Sequence, residues 1–459
     1  MKEIFLYKYK KEKILWNAVL IYPNSYRTGM SSLGYLWVYH ILQSIPWINC
    51  ERAFFSPGRI KTIETERDIR EFEIVFFSIS FENDLINLIS ILKKAGIELF
   101  KEKRISPIIC VGGIATTFIS NYLKNIADVI FSGDAEATLP PFLEILKQTK
   151  DYDHLFSEIR NKKTDGIFLS EEINETLIPY ISKKQEVPPH SSIITHNAEF
   201  NDSALISISS GCLYKCNFCL ISRVYKEYKY FEAEKIIRTA EKYAGITNRI
   251  GLVAATLTNH PDFEKIIDEI NRLGFYISFS SFRIEGLSEA LLKKIIENEN
   301  RTLVIAPETS SLGLKKFINK IIPDDLIIER VKTACNLGIK RIKLYFIVGL
   351  PGEKDEDIDG IIDLIRKIRE VSKEYSKKFH YIPEIIVEIN PFVPKPFTPL
   401  FDYEMEDINN LKKKIILIKN SVRGYGRTFI YGESPKSAYL QYVLSKNKLD
   451  FKELIEMAR

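Results

Sequence analysis

Long apolar runs are missing from this sequence. No stretch approaches the ~18 uninterrupted apolar residues of a bilayer-spanning helix, which excludes a transmembrane segment of that kind. Charges interrupt every short apolar run between Met1 and Lys10, so neither a secretory signal nor an anchor is expected there. Cysteine is scarce, with six among 459 residues, too few for a disulfide framework in a chain of this length. Excess charge is also lacking: 65 Lys and Arg stand against 60 Asp and Glu, a net +5. Nucleic acid is therefore not indicated as a partner. The basic stretches Leu411–Lys414 and Ser421–Arg427 read as a solvated helix face and a turn. No internal repeat or low-complexity segment occurs, which excludes a solenoid.

What cysteine there is lies together. Cys212, Cys216 and Cys219 are spaced Cys-x3-Cys-x2-Cys, directly after the β-type run Ala204–Ser210. Thiolates this close wrap one iron–sulfur cluster, because each cluster iron takes a sulfur ligand. Three ligands leave one iron of a four-iron cluster with an open position, the mark of a reactive site rather than a closed structural one. A structural zinc ion asks for a fourth ligand, commonly from a second cysteine pair or from histidines. No second pair exists, and the nearest histidines, His196 and His260, are remote in sequence.

Residues 17–147 alternate short Val-, Ile- and Phe-rich strands with amphipathic helices at 31–43, 83–95, 117–125 and 137–148. This predicts a doubly wound parallel sheet covered on both faces. Such a sheet binds ligands at the carboxyl ends of its strands, and those ends carry Ser78, Ser80, Gly112, Gly113, Gly133 and Glu136. The alternation resumes at Ala204, with strands expected at 204–210, 249–255, 276–282, 302–307, 341–348 and 384–390. Six βα units make a partial (β/α)6 barrel, active at the C-terminal strand ends. The cysteine loop follows the first strand and so belongs to that face. The expected division is an α/β domain at 1–149, a connector at 150–203, the barrel at 204–390 and a small C-terminal extension at 391–459. The connector holds a short strand at 166–169, the polar, proline-bearing stretch 182–190, and His154, His190 and His196, all expected at the surface.

Cys212-x3-Cys216-x2-Cys219, with Phe218 before the last cysteine, resembles the signature of the radical S-adenosylmethionine (SAM) superfamily. The resemblance implies that the three cysteines hold a 4Fe–4S cluster whose open iron is chelated by the amino and carboxylate groups of SAM. One electron then splits the sulfonium into methionine and a 5′-deoxyadenosyl radical. Arg283, Glu308 and Gly349-Leu-Pro-Gly-Glu353 stand where similar proteins carry an Arg, a Glu and the same glycine motif. A cation there suits the methionyl carboxylate, a carboxylate the ribose hydroxyls or amino group, and a glycine a flat adenine. The Gly-Gly-Glu frequent in the superfamily is replaced by Ala254–Thr258. Lys343 and Glu388 are expected to face the barrel interior as an ion pair or as polar site residues.

Val111-Gly-Gly113 and Gly133-Asp-Ala-Glu136, ahead of such a barrel, resemble the cobalamin-binding-type domain of one subfamily, as does the proline run Asn390–Pro399. Cobalamin is the cofactor this implies, its nucleotide tail lying near Ser78–Ser80, Gly112–Gly113 and Gly133, where a side chain at Gly113 would block it. The Asp-x-His-x-x-Gly loop of other cobalamin proteins is absent, and Tyr22–Gly34 stands in its place. A flavodoxin or ferredoxin is the implied electron donor, no membrane is involved, and an oxygen-sensitive cluster with free thiols suits a reducing cytoplasm.

The expected function is that of a radical enzyme, a cobalamin-dependent methyltransferase or related catalyst acting on a substrate that no motif names. Methylthiotransfer to RNA or protein is the enzymatic alternative; it needs a second cluster and three more cysteines, and the N-terminal domain holds only Cys50 and Cys110. Cys335 lies in a helical run and reads as core. The remaining alternative is a non-catalytic iron–sulfur or corrinoid-binding sensor. Anaerobic reconstitution is predicted to give about four irons per chain. Alanine at Cys212, Cys216 or Cys219 removes the absorbance, whereas serine at Cys50, Cys110 or Cys335 leaves it; full iron content in a Cys216→Ala protein would sink the assignment.

Overall fold

The apolar runs Ala18–Tyr22 and Ile74–Phe77 leave a strand no polar face to show to water, so these strands lie inside a sheet covered on both sides. The computed structural model describes residues 2–149, 151–173, 177–182, 186–298 and 301–458; residues 183–185 of the proline-bearing stretch lie outside them. The chain forms two units, Met1–Leu205 with Val443–Arg459, and Ile206–Tyr442. No helix among the described residues is long and apolar enough to cross a membrane.

The first unit is built on a six-stranded sheet. Its strands are β1 (Trp16–Tyr22), β2 (Ile48–Phe54), β3 (Ile74–Ser78), β4 (Ile108–Gly112), β5 (Val129–Phe131) and β6 (Ile167–Leu169), in the order β2-β1-β3-β4-β5-β6. The first five are parallel and β6 runs antiparallel to β5. The order reverses between β1 and β3, where doubly wound sheets open a crevice. Helices α1 (Leu33–Ser44), α2 (Asp84–Ala95), α3 (Thr116–Leu123) and α4 (Ala135–Gln148) connect the parallel strands.

The stretch expected as a connector is more ordered than its polarity suggested. Helix α5 (Tyr152–Lys162) starts at Asp151, whose carboxylate accepts from the His154 N–H, and β6 then joins the sheet. His190 is buried, not exposed as expected: Tyr7 Oη lies 2.5 Å from its Nε2, and Pro188 O lies 2.7 Å from its Nδ1. A short strand, Ile193–Thr195, pairs antiparallel with Glu3–Phe5. Arg52 fixes that N-terminal strand to the sheet. Its buried guanidinium donates to both carboxylate oxygens of Glu3 at 2.9 and 2.6 Å and to Glu64 at 2.7 Å.

The second unit carries β7 (Ser203–Ser207), which crosses the boundary, β8 (Arg249–Val253) and β9 (Tyr276–Phe279) in one sheet. Strands β10 (Thr302–Glu308), β11 (Arg341–Val348), β12 (Glu384–Pro391) and β13 (Thr428–Tyr431) follow in a second sheet, all parallel. Helices α6 (Ala233–Glu241), α7 (Phe263–Arg272), α8 (Glu289–Glu297), α9 (Asp324–Asn336) and α10 (Asp355–Tyr375) alternate with the strands. The six expected strands are thus joined by a seventh, β13, from the segment taken as a C-terminal extension. Burial alternates along β11 and β12. Ile342, Leu344, Phe346 and Val348 form the dry face, while Lys343 meets Glu388 at 3.2 Å on the other.

Helix α11 (Ile408–Ser421) precedes β13, and α12 (Pro435–Ser445) and α13 (Phe451–Met457) follow it. The tail from Val443 belongs to the first unit. Ser445 donates to Glu82 at 2.7 Å, Tyr122 Oη donates to Leu449 O at 3.2 Å, and Lys93 donates to Ile455 O and Ala458 O at 3.1 and 3.0 Å. Truncating Arg52 to alanine strands Glu3 and Glu64 without their buried cation. We expect a loss of about 3–5 kcal/mol in chemical denaturation, with Arg52→Lys recovering only part of it because the bidentate geometry is lost.

Candidate functional site

The cysteine loop leaves the end of β7 at Gly211. A side-chain carbon there would sit 2.6 Å from Glu227 O, so the tight return against Ser209–Ser210 and Lys229–Tyr230 requires glycine. Asn217 then staples the loop to the turn after β10: its N–H donates to Ile318 O at 2.8 Å and its Nδ2 to Phe317 O at 2.7 Å. Asn319 returns a bond to Lys215 O at 2.9 Å. All three cysteines of the loop are free thiols. Among the described residues no three His, Cys, Asp or Glu side chains converge on a point as ligands of one metal ion.

The thiols nevertheless share one electrostatic neighbourhood. Burial pushes the Cys216 thiol up, opposed by Lys320 and Arg283 and reinforced by Cys219 and Glu308. Burial likewise pushes Cys219 up, against hydrogen bonds from the backbone of Ile221 and Ser222 and with repulsion from Cys212 and Glu308. Arg283 stacks 3.7 Å from the Tyr214 ring centroid, pairs with Glu285 at 2.8 Å and points Nη1 at Cys216 Sγ, 3.8 Å away. Thr256 Oγ1, from the segment that replaces Gly-Gly-Glu, lies 3.7 Å from Cys212 Sγ. Three clustered free thiols flanked by two cations form a donor set that fits a 4Fe–4S cluster, whose thiolates and sulfides are electron-rich.

Glu308 ends β10 in a left-handed backbone conformation, φ 64°, which non-glycine residues adopt at a cost and which collects at functional sites. Its Oε1 accepts from Lys320 Nζ at 2.7 Å, and Oε2 accepts no hydrogen bond among the described residues. Glu308 and Phe218 both line a cavity of about 330 Å³ across the ends of β10, β11 and β12. Phe218 packs there against Leu314, Ile318, Leu350, Phe392 and Leu400. Gly349 lies elsewhere than expected: a side-chain carbon on it would meet Leu411 at 2.6 Å, so its bare face is covered by α11, and its N–H donates to Glu353.

In the first unit the expected residues are spread along the strand ends. Ser80 accepts from Tyr22 Oη at 3.2 Å, and Ser78 and Gly112 are partly exposed at the ends of β3 and β4. Glu136 is half-buried, accepts from Trp37 at 2.8 Å, and has its carboxyl pushed up by burial. The two glycines expected to admit a ligand face the chain itself. A side-chain carbon on Gly113 would lie 2.2 Å from Ile79 O, and one on Gly133 would lie 2.0 Å from Tyr180 O. A side chain at Gly113 therefore breaks the backbone packing before it can report on any ligand. These two positions do not fit a corrinoid tail. Lys320 and, beyond β13, the cavity-lining Glu433 and Gln441 carried no motif to mark them.

Residues 34–168 match the family described as radical SAM proteins, N-terminal, and residues 206–365 match the radical SAM superfamily. The chain thus carries the N-terminal and core domains of radical SAM proteins, a superfamily whose cofactors are a 4Fe–4S cluster and SAM. An uncharacterized protein of Methanocaldococcus jannaschii is 25% identical, covering 97% of this chain and 92% of its own. The ribosomal protein uS12 methylthiotransferase of Acetivibrio thermocellus is 23% identical, covering 78% of this chain and 81% of its own. Among solved structures, the radical SAM methyltransferase TsrM of Kitasatospora setae, with tryptophan substrate and a SAM analogue bound, matches with TM-score 0.55 and 11% identity, covering 84% of this chain and 75% of its own. OxsB, a cobalamin-dependent radical SAM enzyme with aqua-cobalamin and SAM bound, gives 0.53 and 13%, covering 95% of this chain and 62% of its own. At these identities the likeness is one of fold.

Glu308→Gln and Arg283→Ala are each expected to weaken SAM binding roughly ten- to a hundredfold, the loss of one charge-assisted hydrogen bond, while iron content persists. Equilibrium dialysis with labelled SAM measures it. Wild-type affinity in both variants would assign the residues to the scaffold.

Proposed function

We propose that the protein cleaves SAM reductively at the Cys212, Cys216 and Cys219 loop and uses the resulting radical to modify a carbon of a small substrate held in the cavity beside it. The observation that carries this reading is the gathering of the free thiols with Arg283, whose Nη1 lies 3.8 Å from Cys216 Sγ, and with Lys320, which holds Glu308 at 2.7 Å on the wall of that cavity. When bound, the cluster supplies the electron that splits the sulfonium. The residues do the rest. Arg283, stacked on Tyr214, offers a positive charge beside Cys216 to a carboxylate. Glu308, held in place by Lys320, offers its unused oxygen to hydroxyl or amino protons. Phe218 and its apolar neighbours keep water from that wall, which protects a reactive intermediate from quenching.

A second reading, cobalamin-dependent methyl transfer, is favoured by the likeness in fold to OxsB with aqua-cobalamin bound and to the methyltransferase TsrM. Gly113 and Gly133 do not support it, because Ile79 and Tyr180 of the chain itself stand against them. Methylthiotransfer, suggested by the uS12 methylthiotransferase relatives, fares worse. Cys50 and Cys110 lie on β2 and β4, three strand spacings or roughly 14 Å apart in the sheet, and both are wholly buried.

With dithionite as reductant, reconstituted protein should convert SAM to methionine and 5′-deoxyadenosine, and Cys216→Ala should not. Intact SAM after reduction of a fully loaded cluster would overturn the proposal. Protein purified from cobalamin-supplied cells decides the second reading: corrinoid absorbance beside the iron–sulfur band supports methyl transfer, and its absence with cleavage undiminished rejects it.

A further inference from the structure

The far wall of the cavity is polar, joining Asn390 and Lys395 of the proline run to Glu433 and Gln441, which belong to none of the motifs above. Lys395 Nζ donates to Gln441 Oε1 at 2.9 Å, and Gln441 Nε2 donates to Glu433 Oε1 at 2.5 Å. Ser437 donates to the same Glu433 oxygen at 2.6 Å, and the Glu433 N–H donates to Asn390 Oδ1 at 3.0 Å. Lys395, Gln441, Glu433 and Asn390 all line the cavity. A cation and an anion are thus held one amide apart, each oriented by a neighbour. The Glu433 Oε2 and Asn390 Nδ2 atoms have no hydrogen-bond partner among the described residues, and neither is sealed from solvent.

Position separates this wall from the cysteine loop. Glu308 ends β10, Asn390 ends β12 and Glu433 follows β13, so the polar group stands two to three strands away, roughly 10–14 Å across the sheet. Tyr345, Phe392 and Phe218 make the surface between. A cavity of about 330 Å³ is at the small end of ligand sites, which suits a compact molecule.

We propose that this wall binds a free α-amino acid with an apolar side chain. Its carboxylate takes Lys395 and Asn390 Nδ2, its ammonium takes Glu433 Oε2, and its side chain lies over the aromatic surface towards Glu308. Opposite charges on one carbon match a cation and an anion separated by one amide. The inference rests on the reading of the Glu308 side as the SAM side.

The test uses the full chain with its cluster reconstituted and titrates it by calorimetry, under anaerobic conditions, with the free L-forms of Leu, Met, Phe, Tyr and Trp. Each that binds is then compared with its amide and its N-acetyl derivative. At least one free amino acid is expected to bind, and both blocked forms at least tenfold more weakly. Lys395→Met should abolish the discrimination against the amide, and Glu433→Gln that against the N-acetyl form. Circular dichroism and iron content certify that the variants are folded. SAM cleavage without amino acid is measured alongside. A wild type that cleaves SAM but binds none of the five, or binds blocked and free forms equally, overturns this inference alone. A wild type that cleaves no SAM overturns the reading beneath it. Loss of SAM binding in both variants would assign the wall to SAM itself and overturn the amino-acid site.

Discussion

Two hydrogen bonds from Asn217, to the carbonyls of Ile318 and Phe317, hold the cysteine loop in place without any metal. A loop of free thiols has little apolar surface to bury and three groups that repel one another once ionised. Hydrogen bonds to main-chain carbonyls, with Phe218 packed on Leu314 and Ile318, can fix it before a cluster forms. The turn that receives those bonds also carries Lys320, the partner of Glu308. One short segment therefore positions the loop, supplies a cation to it and orients the carboxylate at the end of β10. A change in that turn moves all three together.

The parallel architecture was legible because its signal is redundant. Most strands of the first unit are nearly continuous apolar runs, β2 with Glu51 and Arg52 being the exception, and the helices between them are amphipathic, so errors of one or two residues at the ends do no harm. The cysteine loop was legible for the opposite reason: its spacing is rare and chemically specific. Strand β13 escaped notice because Thr428–Tyr431 is four residues long, follows a glycine-rich turn, and buries no residue fully. Its place is set by pairing with β12, which no local pattern records. His190 escaped because its partner, Tyr7, is 183 positions away.

The glycines teach a related lesson. Gly113, Gly133 and Gly349 look in sequence like openings left for a ligand. In the fold each is the site where another stretch of the same chain comes close: Ile79, Tyr180 and Leu411 respectively. A bare Cα means that something approaches, and sequence alone does not say whether it is a cofactor or the protein. The polar wall beyond β12 is the converse case, chemistry assembled from Lys395, Glu433 and Gln441, which share no motif and meet only because the proline-bearing turn and α12 bring them together.

The return of the last residues to the first unit has a consequence for synthesis. Lys93 bonds to carbonyls 362 and 365 positions later in the chain. Ile206–Tyr442 is continuous in sequence and pairs its strands in order. The first unit instead takes α13 from beyond the whole of that segment, so its sheet is synthesised long before the carbonyls that receive Lys93 exist. Contacts so distant in sequence carry the largest loop-closure entropy, and that cost falls on the first unit rather than on the second.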